Sequence, residues 1–130
     1  ISVRDRDKPG VIEIARRLTA RGFDLVATAG TAAALAAAGI ACRPAFKVSE
    51  GRPHIVDMIK NDEISLIINT PLGKSSRGAG MRNRRLATRL EMPLFPTLSA
   101  AQAAVNGIQA VRRHDLTVRS LQEHYAAHKP

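Results

Sequence analysis

The sequence predicts an α/β protein, a three-layer α/β/α sandwich whose central sheet has five parallel strands. Three observations favour this fold. Strand-length apolar segments alternate with segments in which apolar residues recur at helical spacing, an alternation typical of parallel sheets with right-handed crossovers. One apolar segment, residues 64–68, suits a strand covered on both faces. Aromatic residues make up only 3% of the chain, so the core is built from Ala, Val, Ile and Leu.

The first third of the chain predicts two strands and two helices. Residues 1–4 form the end of the first strand. Apolar residues then recur at helical spacing between Val11 and Leu18, and Gly22 ends this helix as a C-cap glycine would. Residues 23–27 predict the second strand. The second helix spans residues 31–38, and Gly39 stops it.

The middle of the chain repeats the same order of elements. A short third strand is centred on residues 45–47, and apolar residues between 55 and 59 mark a third helix. The fourth strand is the apolar segment described above. Residues 73–80, rich in Gly and Ser, predict a polar loop. A basic helix follows at about 81–90.

The last elements are a strand at 93–97 and a long Ala-rich helix at about 99–111. We assign residues 1–115 to one domain. Residues 116–130 form a C-terminal tail or one more helix, with Leu121 and Tyr125 as its contact points. Because the sequence begins with Ile1 and not with Met, inside the first predicted strand, we expect it to be a piece of a larger polypeptide.

The formal net charge is +9, which raises the question of a nucleic-acid partner. Only three Phe and one Tyr are available to stack bases, and no nucleic-acid-binding motif is present, so we expect none. Solvated helix faces explain most of the arginines, and attraction of a small phosphorylated ligand explains some of the rest. No apolar run approaches the ~20 residues of a membrane span. With no signal-peptide pattern, the expected compartment is the cytoplasm.

Two further classes of site are disfavoured by the sequence. The single cysteine, Cys42, excludes an internal disulfide and lies in an apolar context typical of a buried thiol. The four histidines lack the spacing of a zinc site. We therefore expect no metal site.

The turn between the second strand and the second helix is the strongest candidate site. The first N–H groups of a helix are unpaired and carry the positive end of the helix dipole, which makes them a ready anion site. Thr28 and Thr31 flank this turn, and Gly30 has no Cβ to keep a phosphate oxygen away from the backbone. The alternative is that a threonine is only an N-cap and Gly30 only a turn residue.

Polar residues also follow the other predicted strands. Ligands of open α/β sheets bind beyond the carboxyl ends of the strands. Lys8 follows the first strand, Lys47 closes the third, and Asn69 and Thr70 close the fourth. These loops would bring two ammonium groups, hydroxyls and an amide to the rim that holds the helix N-terminus, so we expect a phosphate-bearing small molecule there.

Four segments carry a family resemblance: residues 2–8 (SVRDRDK), 22–31 (GFDLVATAGT), 47–55 (KVSEGRPHI) and 67–71 (IINTP). In order and spacing they resemble the C-terminal methylglyoxal-synthase-like allosteric domain of the large subunit of bacterial carbamoyl-phosphate synthase. The resemblance covers nearly the whole chain. It implies a five-stranded parallel sheet and a regulatory domain that binds nucleotide effectors such as UMP and IMP, with no cofactor of its own.

The resemblance also implies a parent enzyme. This ligase uses ATP, with Mg or Mn, to make carbamoyl phosphate from glutamine and bicarbonate for arginine and pyrimidine synthesis. The expected partners are the rest of the large subunit, the glutaminase small subunit and, as an open possibility, further copies of the chain. The isolated domain would have no catalytic residues.

The site residues carry over by position. The effector phosphate would be bound by Lys8, Thr28, Gly30, Thr31 and Lys47, and the ribose or base by Ser2, Asn69 and Thr70. Pro71 replaces a second threonine of some relatives, which removes a hydroxyl and a backbone donor on the base side. The 73–80 loop also departs from the family pattern.

A different class of function remains open. Methylglyoxal synthase, a lyase acting on dihydroxyacetone phosphate, shares the fold and the phosphate turn, but it needs a carboxylate base. The family's Gly-Gly-Asp stretch for that base is replaced here by residues 50–54. Glu50 and Asp57 are the remaining carboxylates. His54 is a ligand contact, a proton carrier or, most commonly for such a histidine, a hydrogen-bonder at a helix N-terminus.

Overall fold

A computed structural model of the protein describes residues 1–46, 50–52, 54–71 and 77–127. A 3-10 turn, Asp5–Asp7, precedes the first helix. The helices are α1 (Lys8–Ala20), α2 (Ala29–Ala37), α3 (Ile55–Lys60), α4 (Arg77–Arg89), α5 (Leu98–Arg113) and α6 (Leu121–Ala127), and the strands are β1 (Val26–Thr28), β2 (Arg43–Ala45), β3 (Ile67–Ile68) and β4 (Leu94–Phe95).

The strands are parallel, as the sequence predicts. β1 pairs with β2 and β3 pairs with β4, so the described strands form two sheets of two strands each. The α/β class with parallel strands is therefore confirmed, whereas a single five-stranded sheet is not.

The first predicted strand lies between these two sheets, but only two of its residues pair. The backbone nitrogen of Ile1 donates to the carbonyl of Val26 (2.6 Å), and the carbonyl of Ile1 accepts from Thr28 (3.2 Å). On the other side, Ser2 forms a parallel bridge with Asn69. A single paired residue on each side is too little to form a strand. The same hydrogen bonds nevertheless place β1 on one side of residues 1–2 and β3 on the other.

The larger core cluster joins the strands to α1, α2 and α5. The predicted apolar face of α1 is buried throughout, and Leu35, Ile68, Ala101 and Val105 pack in the same cluster. A smaller cluster around Ile59, Ile67 and Ala87 includes residues of α3, β3 and α4. The predicted helix stops are also confirmed, because Gly22 and Gly39 follow α1 and α2 with φ of 85° and 75°, a conformation that favours glycine.

Some boundaries differ from the prediction. α4 begins at Arg77, inside the predicted 73–80 loop. The predicted third strand, centred on residues 45–47, lies earlier, because β2 spans Arg43–Ala45 and Phe46 forms only an isolated bridge with His54. Lys47 lies outside the described residues. Across the described part of the chain, no helix is both long and apolar enough to span a membrane, and no group of three potential metal ligands occurs.

Candidate functional site

The candidate site is the rim formed by residues 1–4, the carboxyl ends of β1 and β3, and the amino end of α2. Thr28 is the last residue of β1 and the N-cap of α2, with extended backbone angles. Its hydroxyl donates to Ser2 Oγ at 3.2 Å and makes no capping hydrogen bond with the first turn of α2. In the described part of the chain, the amino end of α2 therefore has no side-chain cap, as an anion site requires.

Lys8 lies against this helix end. A β-carbon built on Gly30 would be 3.1 Å from Lys8 Nζ, so the ammonium group sits beside the first turn of α2. The Lys8 side chain is about one-quarter exposed and forms an ion pair with the exposed carboxylate of Asp5 at 2.7 Å. That hydrogen bond from Lys8 lowers the pKa of the Asp5 carboxyl.

Thr31 is buried and connects α2 to the first segment of the chain. Its side-chain oxygen accepts a hydrogen bond from the backbone nitrogen of Val3 at 3.2 Å, and the hydroxyl of Thr28 is 3.5 Å away. Only 1% of Thr31 is exposed. In the described structure, the Thr31 hydroxyl therefore holds the N-terminal segment against the first turn of α2.

Asn69 contributes a buried amide. Its backbone is fixed by the bridge to Ser2 and by a hydrogen bond to the carbonyl of Phe95, and only 6% of the residue is exposed. Within the described ranges, its side-chain amide has no hydrogen-bond partner. A buried amide without a partner is costly, so a polar group of a ligand would stabilise it.

Thr70 is also buried, but its hydroxyl is already engaged. It accepts from the backbone nitrogen of Arg4 at 3.0 Å and hydrogen-bonds to the carboxylate of Asp7. Partial burial favours the neutral form of Asp7, but hydrogen bonds from Thr70 and Arg4, with the nearby positive charges, lower the pKa of its carboxyl. Thr70 therefore connects the end of β3 to the loop before α1.

The structure brings most of the predicted site residues together. Direct hydrogen bonds connect Ser2, Thr28 and Thr31, Lys8 adjoins Gly30, and the ends of residues 1–4 and β3 are bridged. Lys47 lies outside the described residues, and its assignment to the phosphate stays a prediction.

Sequence reasoning missed the acidic residues beside the site. No element was predicted for residues 5–7, whereas Asp5 and Asp7 lie in a 3-10 turn and each pairs with a cation. The signal was present in the spacing, since Arg4 and Asp7, and likewise Asp5 and Lys8, are three residues apart, as neighbours on one face of a helical turn are.

A cavity of about 430 Å³ opens beside the rim. It is lined by residues 22–28 and 63–67, which lead into and include parts of β1 and β3, and by Ile1 and Ser2. The cavity shares Ser2, Thr28 and Asn69 with the rim but is not lined by Lys8 or Gly30. The cavity is therefore separate from the helix end that carries Lys8 and Gly30.

His54 and Asp57 form a capping box at the start of α3. Asp57 donates its backbone N–H to His54 Nδ1 at 3.3 Å, and the Asp57 carboxylate accepts from the backbone nitrogen of His54 at 3.3 Å. The common role for this histidine, hydrogen bonding at a helix N-terminus, is confirmed. Asp57 also lies 4.0 Å from Arg52.

Comparisons with known proteins are consistent with this arrangement. A family model described as "MGS-like domain" matches residues 10–96. The C-terminal section of the carbamoyl phosphate synthase large chain of Methanopyrus kandleri is 50% identical over 124 residues, or 95% of this chain and 23% of the relative. The large chain of Pseudomonas putida is 48% identical over 129 residues, which cover 99% of this chain and 12% of the relative.

A third relative is similar to this chain over nearly the same length. The C-terminal section of the large chain of Aquifex aeolicus is 41% identical over 130 residues, 96% of this chain and 24% of the relative. This chain thus spans about an eighth to a quarter of the length of the relatives it matches. The chain belongs to the MGS-like domain family, in the form found as the C-terminal section of carbamoyl phosphate synthase large chains.

Proposed function

We propose that this chain is the regulatory domain of a carbamoyl phosphate synthase large chain and that it binds a phosphorylated effector of the UMP or IMP type. Family membership supplies the context. The observation that carries the proposal is the position of Lys8, whose ammonium group lies beside Gly30 at the amino end of α2.

The electrostatics of this position favour an anion. A helix N-terminus carries roughly half a positive charge, so an ammonium group beside it is repelled by the helix. Asp5 offsets part of this repulsion, but its carboxylate is itself exposed to solvent. A phosphate placed between Lys8 and the first N–H groups of α2 would be attracted by both, and its oxygens could accept hydrogen bonds from both.

The rest of the effector would extend from the helix end toward β3. Thr28 and Ser2 provide hydroxyls between these points, and the buried amide of Asn69 offers both a donor and an acceptor. Thr70 stays a predicted contact, although its hydroxyl already bonds to Arg4 and Asp7. We propose that Lys47 adds a second positive charge at the phosphate.

The proposed parent enzyme catalyses the ATP-dependent synthesis of carbamoyl phosphate from glutamine and bicarbonate, which serves arginine and pyrimidine synthesis in the cytoplasm. ATP and its Mg or Mn would be bound by other parts of the large chain, and a glutaminase subunit would supply ammonia. In this arrangement the domain takes no part in bond making and acts by binding its effector more tightly in one state of the enzyme than in another.

The alternative, a methylglyoxal synthase-type lyase, is less well supported. The carboxylate of Asp57 accepts a hydrogen bond from the backbone of His54 at the start of α3, so it is engaged in capping. A direct assay tests this alternative: the chain is incubated with dihydroxyacetone phosphate, and no methylglyoxal is expected. Turnover that is lost in Asp57→Asn would favour the lyase.

Calorimetric titration tests the proposed effector site. The purified chain is titrated with UMP, IMP, inorganic phosphate and N-acetylglutamate, and with uridine and inosine as controls. We expect heat of binding from at least one nucleotide and much weaker binding of its nucleoside. Equal binding of nucleotide and nucleoside, or binding of N-acetylglutamate alone, would contradict the proposal.

A further inference from the structure

The C-terminal part of the chain exposes an unusual amount of apolar surface. Every residue from 111 to 127 is exposed. Large apolar side chains within this stretch are among the most exposed of the protein, from about half to all of their surface: Val111, Leu116, Val118, Leu121 and Tyr125. Single exposed apolar residues are normal, but five within fifteen positions mark an interaction site. We call these five residues the C-terminal surface.

The local structure around this surface is suited to docking. His114 has extended backbone angles, and Leu116 and Val118 alternate with polar residues, as on a strand with one buried face. α6 follows, and its start is fixed by a capping box in which Glu123 Oε2 accepts from the backbone nitrogen of Ser120 at 2.7 Å. Leu121 and Tyr125 are four residues apart and share one face of α6.

This segment is too short to be stable by itself. α6 has 7 residues, whereas isolated helices below about 12 residues are marginal in water. The segment contains a strand-like stretch and a capped amphipathic helix, and the described residues cover neither apolar face. This combination favours a partner that buries both faces.

The charges near this surface favour a partner that is acidic. Arg112, Arg113 and Arg119 outnumber the two acidic residues of the same stretch, Asp115 and Glu123. Arg17 and Arg21 add to this positive charge, because Arg112 donates to the carbonyl of Arg21 and Arg21 donates to the carbonyl of Arg17. None of these five guanidinium groups forms an ion pair with a carboxylate in the part of the chain that the structure describes. A symmetric contact between two copies would place the same basic surface against itself, which like-charge repulsion disfavours.

The extent of the similarity indicates where the partner lies. The MGS-like match ends at residue 96, but the similarity to the large chain of Pseudomonas putida extends over 129 residues and so includes the C-terminal surface. That relative is about eight times longer than this chain, since the match covers 12% of it.

We propose that the C-terminal surface docks onto the preceding part of the carbamoyl phosphate synthase large chain, with its apolar residues covered and its arginines facing acidic side chains. This inference rests on the proposed function for the identity of the partner. The docked segment would then be a physical contact between the regulatory domain and the rest of the enzyme.

Hydrogen exchange measured by mass spectrometry tests the docking. Peptides covering residues 114–127 are compared between the 130-residue chain alone and a full-length large chain that carries it. We expect exchange about tenfold slower in the full-length large chain, because docked backbone opens less often. Leu121→Asp should abolish this protection and Arg113→Glu should reduce it, whereas Gln122→Ala, an exposed polar position of α6, should retain it.

Three results would overturn the inference. One is equal exchange in the two samples. Another is protection of the 130-residue chain that grows with its concentration, which indicates a second copy as the partner. The third is protection that survives Leu121→Asp. Titration of the same samples with UMP and IMP keeps the two proposals separate, because a failure to bind nucleotide contradicts the effector site and leaves the exchange result unchanged.

Discussion

The side-chain nitrogen of Lys8 lies over the backbone of Gly30, 22 positions later in the chain, so closely that a β-carbon at position 30 would be 3.1 Å from it. The glycine is not required for a left-handed backbone, because positive φ among the described glycines occurs at Gly22, Gly39 and Gly51. Gly30 instead allows the ammonium group of Lys8 to approach the first turn of α2.

We predict that Gly30→Ala lowers nucleotide affinity without lowering the stability of the fold. Alanine is the better helix former by up to about 1 kcal/mol, and the end of a flexible lysine can move, so the free energy of unfolding should stay constant or rise. Nucleotide affinity should fall several-fold, because the methyl group displaces Lys8 and narrows the approach to the backbone. Urea unfolding and calorimetric titration measure the two effects.

The matched control is Gly107→Ala. Gly107 lies inside α5, and a β-carbon added there would meet no described atom within 4 Å, so this change should affect helix stability alone. If Gly30→Ala and Gly107→Ala left nucleotide affinity equally unchanged, the anion would have to bind elsewhere.

The second prediction concerns the charge of Lys8. Replacement by Met keeps the unbranched apolar part of the side chain and removes the ammonium group, so it should weaken nucleotide binding by roughly 1.5–3 kcal/mol, as for hydrogen bonds to charged groups. Nucleoside binding should not change. Lys60→Met, at an exposed lysine of α3, is the control. An unchanged ratio of nucleotide to nucleoside affinity in Lys8→Met would exclude Lys8 as a phosphate ligand.

The same measurement applies to Lys47, whose role comes from the sequence alone. Lys47→Ala should weaken nucleotide binding by roughly 1.5–3 kcal/mol for the same reason. A variant that bound nucleotide as tightly as the parent would remove Lys47 from the site.

The third prediction concerns Thr31. Thr31→Val keeps the shape of the side chain but leaves the buried backbone nitrogen of Val3 without its acceptor, so we expect a loss of about 1–3 kcal/mol in the free energy of unfolding. Thr31→Ser retains the hydroxyl and should recover most of that loss. Thermal unfolding without ligand shows the effect, and equal stability of the Val and Ser variants would contradict the bond to Val3.

Local sequence patterns predicted the helices well. The spacing from Val11 to Leu18 indicated the buried face of α1, and Gly22 and Gly39 indicated the ends of α1 and α2, because these signals depend on neighbours within one or two turns. Strand pairing was less predictable. The register between residues 1–2 and their two neighbours depends on segments more than twenty positions away, and the pattern of a single segment contains no information about it.

The candidate site shows the same difference between local features, which were predictable, and long-range contacts, which were not. The turn at residues 28–31 and the polar strand ends were predictable, since topology alone brings them to one rim. The partners of the individual side chains were not. The sequence left Thr28 and Thr31 as alternative N-caps of α2. Thr28 takes that position without a side-chain capping bond, and Thr31 bonds to Val3. Similarly, the bond between Thr70 and Asp7 requires a contact between residues 63 positions apart.

The last prediction concerns Asp7 and the pH dependence of stability. Hydrogen bonds and charges around the Asp7 carboxyl lower its pKa in the folded protein relative to the unfolded chain, where it is about 3.9. A carboxyl with a lowered folded pKa stabilises the protein at pH values above its unfolded pKa. This contribution is lost as the pH falls through the folded pKa, because the folded state must then bind a proton against its favourable contacts.

Asp7→Asn should therefore lower the free energy of unfolding at pH 7, and the difference from the parent protein should shrink as the pH falls below about 4. Urea unfolding at a series of pH values from 7 to roughly 3 measures the difference, and Asp24→Asn, at an exposed carboxylate, provides the control. Because Asp7 holds Thr70 and Arg4 beside the rim, nucleotide affinity at pH 7 should fall in the same variant. A stability difference independent of pH would show that the charge of Asp7 does not stabilise the fold, and that its side chain acts only through its shape and neutral hydrogen bonds.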